Sequence, residues 1–485
     1  MISSILYRNG ENYTAFDMDT VVADLHMDRI VDRILDVGKE CAPRDFFFRK
    51  PAGPGDVPFR LSVIRELEDE RVYGAVQRFL SRYNLFRLYL DYSIKLPQPK
   101  TKQKWLLDAA CVYCDCLNRL YADLSEAPLA SEGLRRFRDC LGLYRDAQSF
   151  RSLLHDSSDC RGRLDSVRFC IDIDLRENTV ELSGDCGGGD YFETLARIFS
   201  AFGCEALGRE IIALPGVNMG PLELRMLGCL ESLYPDAFAS LEGFYRKHAA
   251  FGHELADLFE REAQFYMAYI DYMRLLQQSG IRFCYPEFTD TLQLEITGGH
   301  DLALIDPAGG ESGARAFDFD SGPGQICHVV TGPDQSARTS FIRMAGQAAY
   351  LSLLGLPVPC AGFKSCFLHG IHTHFARGED LSTNFGRLKE ELVRAKQILD
   401  RDGGGSLVLF HDILASTTSY DAGRIGKRLL SGLAERDSIC IFATQIGELA
   451  DTDVAHVHRL EGGAAGDNIL EKYGLSASLI RERIR

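Results

Sequence analysis

The sequence predicts an α/β domain over residues 286–485. Ahead of it, over residues 1–285, it predicts a mainly α-helical core and lever domain interrupted by a small β-hairpin near 167–183. Three observations predict this class. Up to residue 285, long stretches repeat apolar residues every three or four positions, the period of a helix with one buried face. Within them, VRFCIDIDLRENTVELS (167–183) alternates at period two, with Arg176, Glu177 and Asn178 between its arms. Beyond residue 286, short apolar runs at 325–330, 406–411 and 438–443 recur between amphipathic stretches, as buried strands between helices do.

In order, the chain opens irregularly with a short helix over 22–38, and Pro51, Gly53, Pro54 and Gly55 mark a linker. FRLSVIRELEDERVYGAVQRFLSRY, from Phe59, is helical, with acids and bases spaced for i,i+4 pairs. Residues 100–158 continue as helix. Cys111 and Cys114 share a helical face there, the pattern of buried thiols more than of a metal site, which needs a fourth ligand and usually a turn. A glycine-rich loop, GDCGGGD, follows the hairpin at 184–190. Pro235 and Asp236 then open a helix without proline as far as Gly280, about 65 Å long if unbroken. Its stripe (Leu241, Phe244, Phe251, Leu255, Leu258, Phe265, Tyr269, Tyr272, Leu276) suits both a bundle core and a lever. Residues 292–296 and 302–305 read as strands, turned by Asp306, Pro307, Gly309 and Gly310. Residues 384–399 form an amphipathic helix with Leu388, Leu392, Ala395 and Leu399 inward.

The chemistry concentrates in QICHVVTGPDQSARTS, residues 325–340. A buried strand, a glycine turn and then a helical pattern from Phe341, stopped by Pro357, make a phosphate cradle, because backbone N–H groups and the positive helix end converge there. Against G-x-x-x-x-G-K-[ST] the chain places Gly332, Pro333, Asp334, Gln335, Ser336, Ala337, Arg338 and Thr339, with Ser340 following. Thr339 keeps the hydroxyl that holds Mg²⁺. Arg338 replaces a point charge with a planar fork. Ala337 costs energy if the loop needs φ > 0 there. The strand at 406–411 ends in His411 and Asp412, and that at 438–443 in Thr444 and Gln445. Cys366, His369, His372 and His374 make a zinc site conceivable, although histidines have many roles without metal.

Taken in order, these segments resemble the ATPase domain of the MutS family of DNA mismatch-repair proteins, over roughly 283–476. GPDQSARTS matches the family's Gly-Pro-Asn-x-Gly-Gly-Lys-Ser-Thr, and LVLFHDI its Leu-Val-Leu-x-Asp-Glu-Ile. TTSYDA, ATQIGELA and the Tyr473-Gly474-Leu475 triplet match three further blocks. THFARGEDLSTNFGRLKEEL, from Thr373, looks like a bacterial MutS-related branch that lacks the mismatch-reading domain.

The resemblance implies an ABC-type P-loop fold binding ATP or ADP with Mg²⁺ between two subunits, a homodimer through the ATPase domains, a helical lever, and association with double-stranded DNA. It also implies where the chain departs. The Walker B aspartate falls on His411, the catalytic glutamate on Asp412, the phosphate lysine on Arg338, and the switch histidine on Gln445. The serine that acts in trans falls on Gly386, beside Arg387, which offers a substitute phosphate contact. Nucleotide binding through backbone amides with slow or absent hydrolysis is the expectation. Two rivals stand beside it: a non-catalytic nucleotide-gated scaffold for a protein partner, and an active ATPase whose metal site is rebuilt from Asp421 or Glu379. The hairpin reads either as a reduced DNA clamp or as a structural cap. The resemblance further leads one to expect no mismatch-reading wedge before Phe59 and at most a short dimerisation element before Arg485.

Composition bounds the rest. The chain has 485 residues, 46% hydrophobic and 25% charged, enough for two or three domains of ordinary globular character. A net charge of −15 gives no bulk electrostatic footprint for DNA. The 15 scattered cysteines read as free, mostly buried thiols. No apolar run reaches the ~18 residues of a membrane span, and the N-terminus lacks a signal-peptide pattern, so a cytoplasmic location without membrane contact is expected.

Overall fold

The computed structural model describes residues 3–38, 43–53, 55–174, 179–184, 220–305, 315–322, 324–376, 386–450 and 455–460. Its strands are β1 (Tyr13–Ala15), β2 (Arg49–Pro51), β3 (Phe169–Asp174), β4 (Thr179–Gly184), β5 (Glu287–Thr289), β6 (Leu294–Gly299), β7 (Phe317–Asp320), β8 (Cys327–Thr331), β9 (Gly362–Cys366), β10 (Ile371–Phe375), β11 (Leu407–His411), β12 (Ile439–Ala443) and β13 (His456–Arg459). Its helices are α1 (Met27–Gly38), α2 (Asp56–Leu67), α3 (Glu70–Lys95), α4 (Pro99–Glu126), α5 (Glu132–Asp146), α6 (Gln148–Asp165), α7 (Pro221–Leu233), α8 (Pro235–Lys247), α9 (Glu254–Gln278), α10 (Gln335–Leu354), α11 (Arg387–Arg401), α12 (Ser419–Ala434) and α13 (Gly447–Ala450). They build two compact units. One contains Glu70–Leu129 and Arg136–Glu260, the other Ser3–Asp69, Ala130–Arg135 and Arg261–Arg485.

The first unit is helical. Pro99 sits in the first turn of α4, where a missing N–H costs nothing. Aromatic rings fill the core: Phe86 lies 5.0 Å from Tyr113, and Phe137 stacks on Phe259 at 3.7 Å. Cys114 and Cys116 are buried among them, and burial pushes both thiols up to about 12, so they stay protonated and inert. β3 and β4 pair antiparallel from Phe169↔Gly184 to Asp174↔Thr179. The hairpin turn at 176–178 and residues 185–190 of the glycine loop lie outside the described residues.

The helix expected from 235 to 280 is two helices. α8 ends at Lys247 and α9 starts at Glu254; between them Gly252 takes φ +131°, which a helix does not contain. α9 alone is about 37 Å long. The first helix begins at Met27, behind a wider turn at Met18–Val22 that Asp17 caps through the amides of Asp19 and Thr20. The helix expected through Phe59 pauses at Glu68 and Asp69, between α2 and α3.

The second unit is α/β. Five parallel strands run in the order β10-β11-β12-β8-β13. CHVVT, LVLFH and ICIFA are mostly apolar and almost wholly buried because helices cover both faces of such a sheet. Every residue of α10 from Met344 to Leu354 is buried, which explains a helix apolar nearly all round. α11 and α12 bury one face each, placing Ala395, Leu430 and Leu433 against Val329, Val408, Phe410 and Phe442. A second sheet orders β5-β9-β6-β7. The strand expected at 302–305 is instead a 3₁₀ turn, Leu302–Leu304, because Asp301 accepts the Ala303 amide and caps it. The described residues of Ser3–Asp69 pack into this unit. Arg33 donates to the carbonyls of Leu302 and Ile305 at 3.0 and 2.8 Å, and Glu262 accepts the Ser4 hydroxyl and the Ile5 amide.

Candidate functional site

The candidate site lies at the carboxyl ends of β8, β11 and β12. In an open parallel sheet, ligands bind outside those ends where the strand order reverses. Here the chain steps from β12 across β8 to β13 at that point.

The turn after β8 is shorter than the motif implies. α10 begins at Gln335, not 341, so only Gly332, Pro333 and Asp334 stand between strand and helix. Ala337 is therefore a helical residue, and no residue from Gly332 to Ser340 has positive φ. The strain expected from a Cβ at 337 does not arise. Asp334 is the N-cap: its carboxylate accepts the Ser336 amide at 2.8 Å, and its carbonyl accepts the Arg338 amide at 3.2 Å. An anion of the chain's own sits where a phosphate would cap the helix. Gly332 is required for a different reason: a Cβ there would stand 2.8 Å from the Leu460 carbonyl oxygen.

Arg338 points inward. It is 1% exposed, donates from Nη1 to the Gly332 carbonyl, and brings Nη2 to 3.4 Å from Asp412 Oδ2. Asp412 takes φ 46° directly after β11, and Leu414 takes φ 67°. Such backbone is costly for non-glycine residues, especially leucine. Glu391 on α11 supports the bend: it is buried, its Oε2 accepts the Leu414 amide at 2.9 Å, and Ser416 Oγ lies 3.4 Å away. Sequence reasoning did not single out Glu391; its only signal was an acid on the inward side of an amphipathic helix.

Thr339 and His411 are paired. Thr339 Oγ1 lies 2.9 Å from both the Gln335 carbonyl oxygen and His411 Nε2. A hydroxyl has one hydrogen. Donated to the carbonyl, it leaves the oxygen to accept from His411 Nε2–H. Burial pushes the His411 imidazole below the usual histidine range against the pull of Asp412, which suits this neutral partner. Mg²⁺ takes oxygen ligands in tight octahedral geometry. Here the hydroxyl is engaged, the acid's position presents a nitrogen, and the one carboxylate faces a guanidinium. These residues do not fit Mg²⁺.

Beside them lies a cleft of about 550 Å³ lined by Gln335, Asp412, Leu414, Thr417, Thr444 and Gln445, among others. Its volume is within the range of small-molecule sites. Of the residues named from the sequence, Gln335, Asp412 and Gln445 line it; Arg338, Thr339 and His411 are not among its lining residues. Gly386 is the N-cap of α11 and is exposed, whereas the Arg387 side chain is not described. Asp421 is committed to the start of α12, where Thr418 Oγ1 donates to its carboxylate at 3.0 Å. Glu379 lies outside the described residues. His369 Nδ1 and His374 Nε2 lie 2.9 and 3.0 Å from separate carbonyls, those of Gly404 and Glu391.

The sheet order and the position of this turn are those of the P-loop, ABC-type ATPase fold. Residues 328–465 match the family model described as MutS domain V. The DNA mismatch repair protein MutS of Chlorobaculum parvum is 27% identical over 173 residues, covering 36% of this chain and 20% of the relative. That of Thermus aquaticus is 26% identical over 209 residues, 42% of this chain and 24% of the relative. That of a Roseiflexus species is 23% identical over 243 residues, 44% and 22% respectively. The chain is thus related to the MutS family, and the relationship is restricted to the ATPase domain V region. The matches span between a fifth and a quarter of these relatives' lengths. Among the described residues no helix is long and apolar enough to cross a membrane.

Proposed function

We propose that this protein is a MutS-related nucleotide-binding protein that does not hydrolyse its nucleotide, and that occupancy, not turnover, is its signal. The observation that carries the reading is the inward Arg338, which takes up the Asp412 carboxylate that hydrolysis would need as a free base. The cleft between Gln335 and Gln445 supplies room for a nucleotide, with Thr417, Ser419 and Thr444 as polar lining. Binding in this arrangement has no place for Mg²⁺ and requires a phosphate to replace the Asp334 carboxylate at the helix end. The same geometry is compatible with a nucleotide-gated scaffold for a protein partner.

The test is ATP and ADP affinity of the purified chain with Mg²⁺ and with EDTA, then turnover on the same sample. The expected result is binding that EDTA leaves unchanged, and no turnover above a blank. Turnover abolished by Asp412→Asn would overturn the loss of hydrolysis; no binding to either nucleotide would overturn the nucleotide reading itself.

A second reading comes from the relatives' names, which are those of DNA mismatch repair proteins. For this chain it means association with double-stranded DNA and pairing of two copies through the domain V faces, with Gly386 and Arg387 in trans. Affinity for duplex DNA that falls with salt supports it. No binding at low salt by a monomeric chain would sink it.

A further inference from the structure

We propose that Cys284 and Cys360 form a reactive dithiol, which a peroxide converts into an intramolecular disulfide. Cys284 follows α9 and Cys360 follows α10. Their backbones are already joined by an antiparallel bridge: the Cys284 amide donates to the Val358 carbonyl at 3.0 Å, and the Val358 amide returns to the Cys284 carbonyl at 2.9 Å. The Cys360 amide donates back to the Val358 carbonyl at 2.8 Å, and Tyr269 Oη holds the Pro357 carbonyl at 2.5 Å. This framework sets the two sulfurs 3.5 Å apart. Closing a disulfide from there takes side-chain rotation and little backbone movement.

The two thiols are not equivalent. Cys284 is half-buried, so a small oxidant reaches it, and Cys360 is fully buried behind it. The contact with the Cys360 sulfur, across which either thiol can donate, holds Cys284 below the usual thiol range despite partial burial. That same contact, with burial, holds Cys360 far above it. Cys284 is thus the sulfur that attacks and Cys360 the one that resolves.

The chemistry balances. The Cys284 thiolate attacks one peroxide oxygen; an S–O bond forms, the O–O bond breaks, and the departing hydroxide takes up the proton that Cys284 had released, giving water. The Cys360 sulfur then attacks the Cys284 sulfenic acid. The S–S bond forms, the S–O bond breaks, and the Cys360 proton leaves with the hydroxide as a second water. Two thiols are oxidised and one peroxide is reduced to two waters. The product straps the segment after α9 to the segment after α10, the helix whose other end carries Arg338.

The full chain, reduced and freed of reductant, is titrated with hydrogen peroxide, alkylated, and digested with trypsin without reduction. Cleavage after Arg282, Arg315, Arg343 and Lys364 leaves Cys284 and Cys360 as the sole cysteines of their peptides, 283–315 and 344–364. The expected result is a linked pair of these peptides, two hydrogens lighter than their sum and released by dithiothreitol. It forms at peroxide doses that leave the exposed Cys229 alkylatable. Cys360→Ser should instead accumulate a dimedone-trapped sulfenic acid at Cys284. Both peptides alkylated separately after Cys229 is oxidised would overturn the proposal. So would a sulfinic acid at Cys284 in the wild type with no link. The wild-type map decides the matter even if a variant fails to fold, and neither outcome depends on nucleotide binding.

Discussion

Replacing Arg338 by methionine tests whether the inward guanidinium is the clasp of this site. Its Nη2 is 3.4 Å from Asp412 Oδ2, worth about 5 kcal/mol of attraction at an effective dielectric of ~20. Desolvating both groups offsets much of that, so the pair itself adds little net stability. Breaking it is different. Arg338→Met leaves Asp412 buried beside a neutral imidazole and removes a charged hydrogen bond to the Gly332 carbonyl, a loss of about 3–5 kcal/mol. Asp412→Asn keeps the shape and tolerates φ 46°, and costs about 2–4 kcal/mol by orphaning the guanidinium. The double variant removes both charges, so its loss falls short of the sum by about 2–3 kcal/mol. The chain's single tryptophan, Trp105, lies in the helical unit. Urea-dependent alkylation of Cys440, fully buried in β12, reports the right unit. Losses additive to within about 0.5 kcal/mol would refute the clasp.

Two buried groups give this unit opposed pH dependences. Burial raises Glu262 from 4.5 to about 7 against its bonds from Ser4 and Ile5, so the fold holds a proton that the unfolded chain has lost, and stability falls by about 3 kcal/mol as pH rises from about 4.5 to about 7. Glu262→Gln should flatten that slope in thermal unfolding between pH 5 and 8; an unchanged slope would mean that Glu262 ionises freely. Burial lowers His328 from 6.5 to about 4, so its stability is present above 6.5 and declines by about 3 kcal/mol as pH falls to about 4. His328→Leu should blunt acid unfolding over that window, and an identical acid midpoint would argue against it. Gly332→Ala pushes a Cβ against the Leu460 carbonyl, so it should cost about 1–3 kcal/mol and speed amide exchange in β13, just beyond which the Leu460 amide anchors to the Thr331 carbonyl. Wild-type exchange in β13 would refute that packing.

The parallel strands were legible because double-sided burial writes continuous apolar runs, and CHVVT, LVLFH and ICIFA carry little else. The break between α8 and α9 was not. The apolar stripe continues through Phe251, and a single glycine in a polar-flanked stretch does not announce φ +131°. The start of α10 was not read from the sequence: the helical pattern was taken from Phe341, where the apolar spacing is plain, although Asp334 is a residue type that caps helices. That Ser3–Asp69 fold with the sheet rests on contacts such as Thr373 Oγ1 to Asp24, far apart in sequence and unmarked by any motif.

The departures His411, Asp412 and Arg338 were visible as substitutions, each read against the partner it had lost. Their arrangement was not visible, because Arg338 and Asp412 lie 74 residues apart and a cation at that position reads as phosphate-facing. The geometry makes the changes one unit. His411 removes a carboxylate from the Thr339 hydroxyl and bonds it instead. Arg338, longer than lysine and forked, then reaches past the helix end to the remaining acid. Reversing one substitution should therefore not restore metal binding. His411→Asp alone brings a second acid beside Asp412, with Arg338 still drawn to both. Only His411→Asp with Arg338→Lys frees a carboxylate and the Thr339 hydroxyl together. Isothermal titration of Mg²⁺ with ADP should show uptake in the double variant and none in either single one. Uptake by a single variant would mean that these residues act independently.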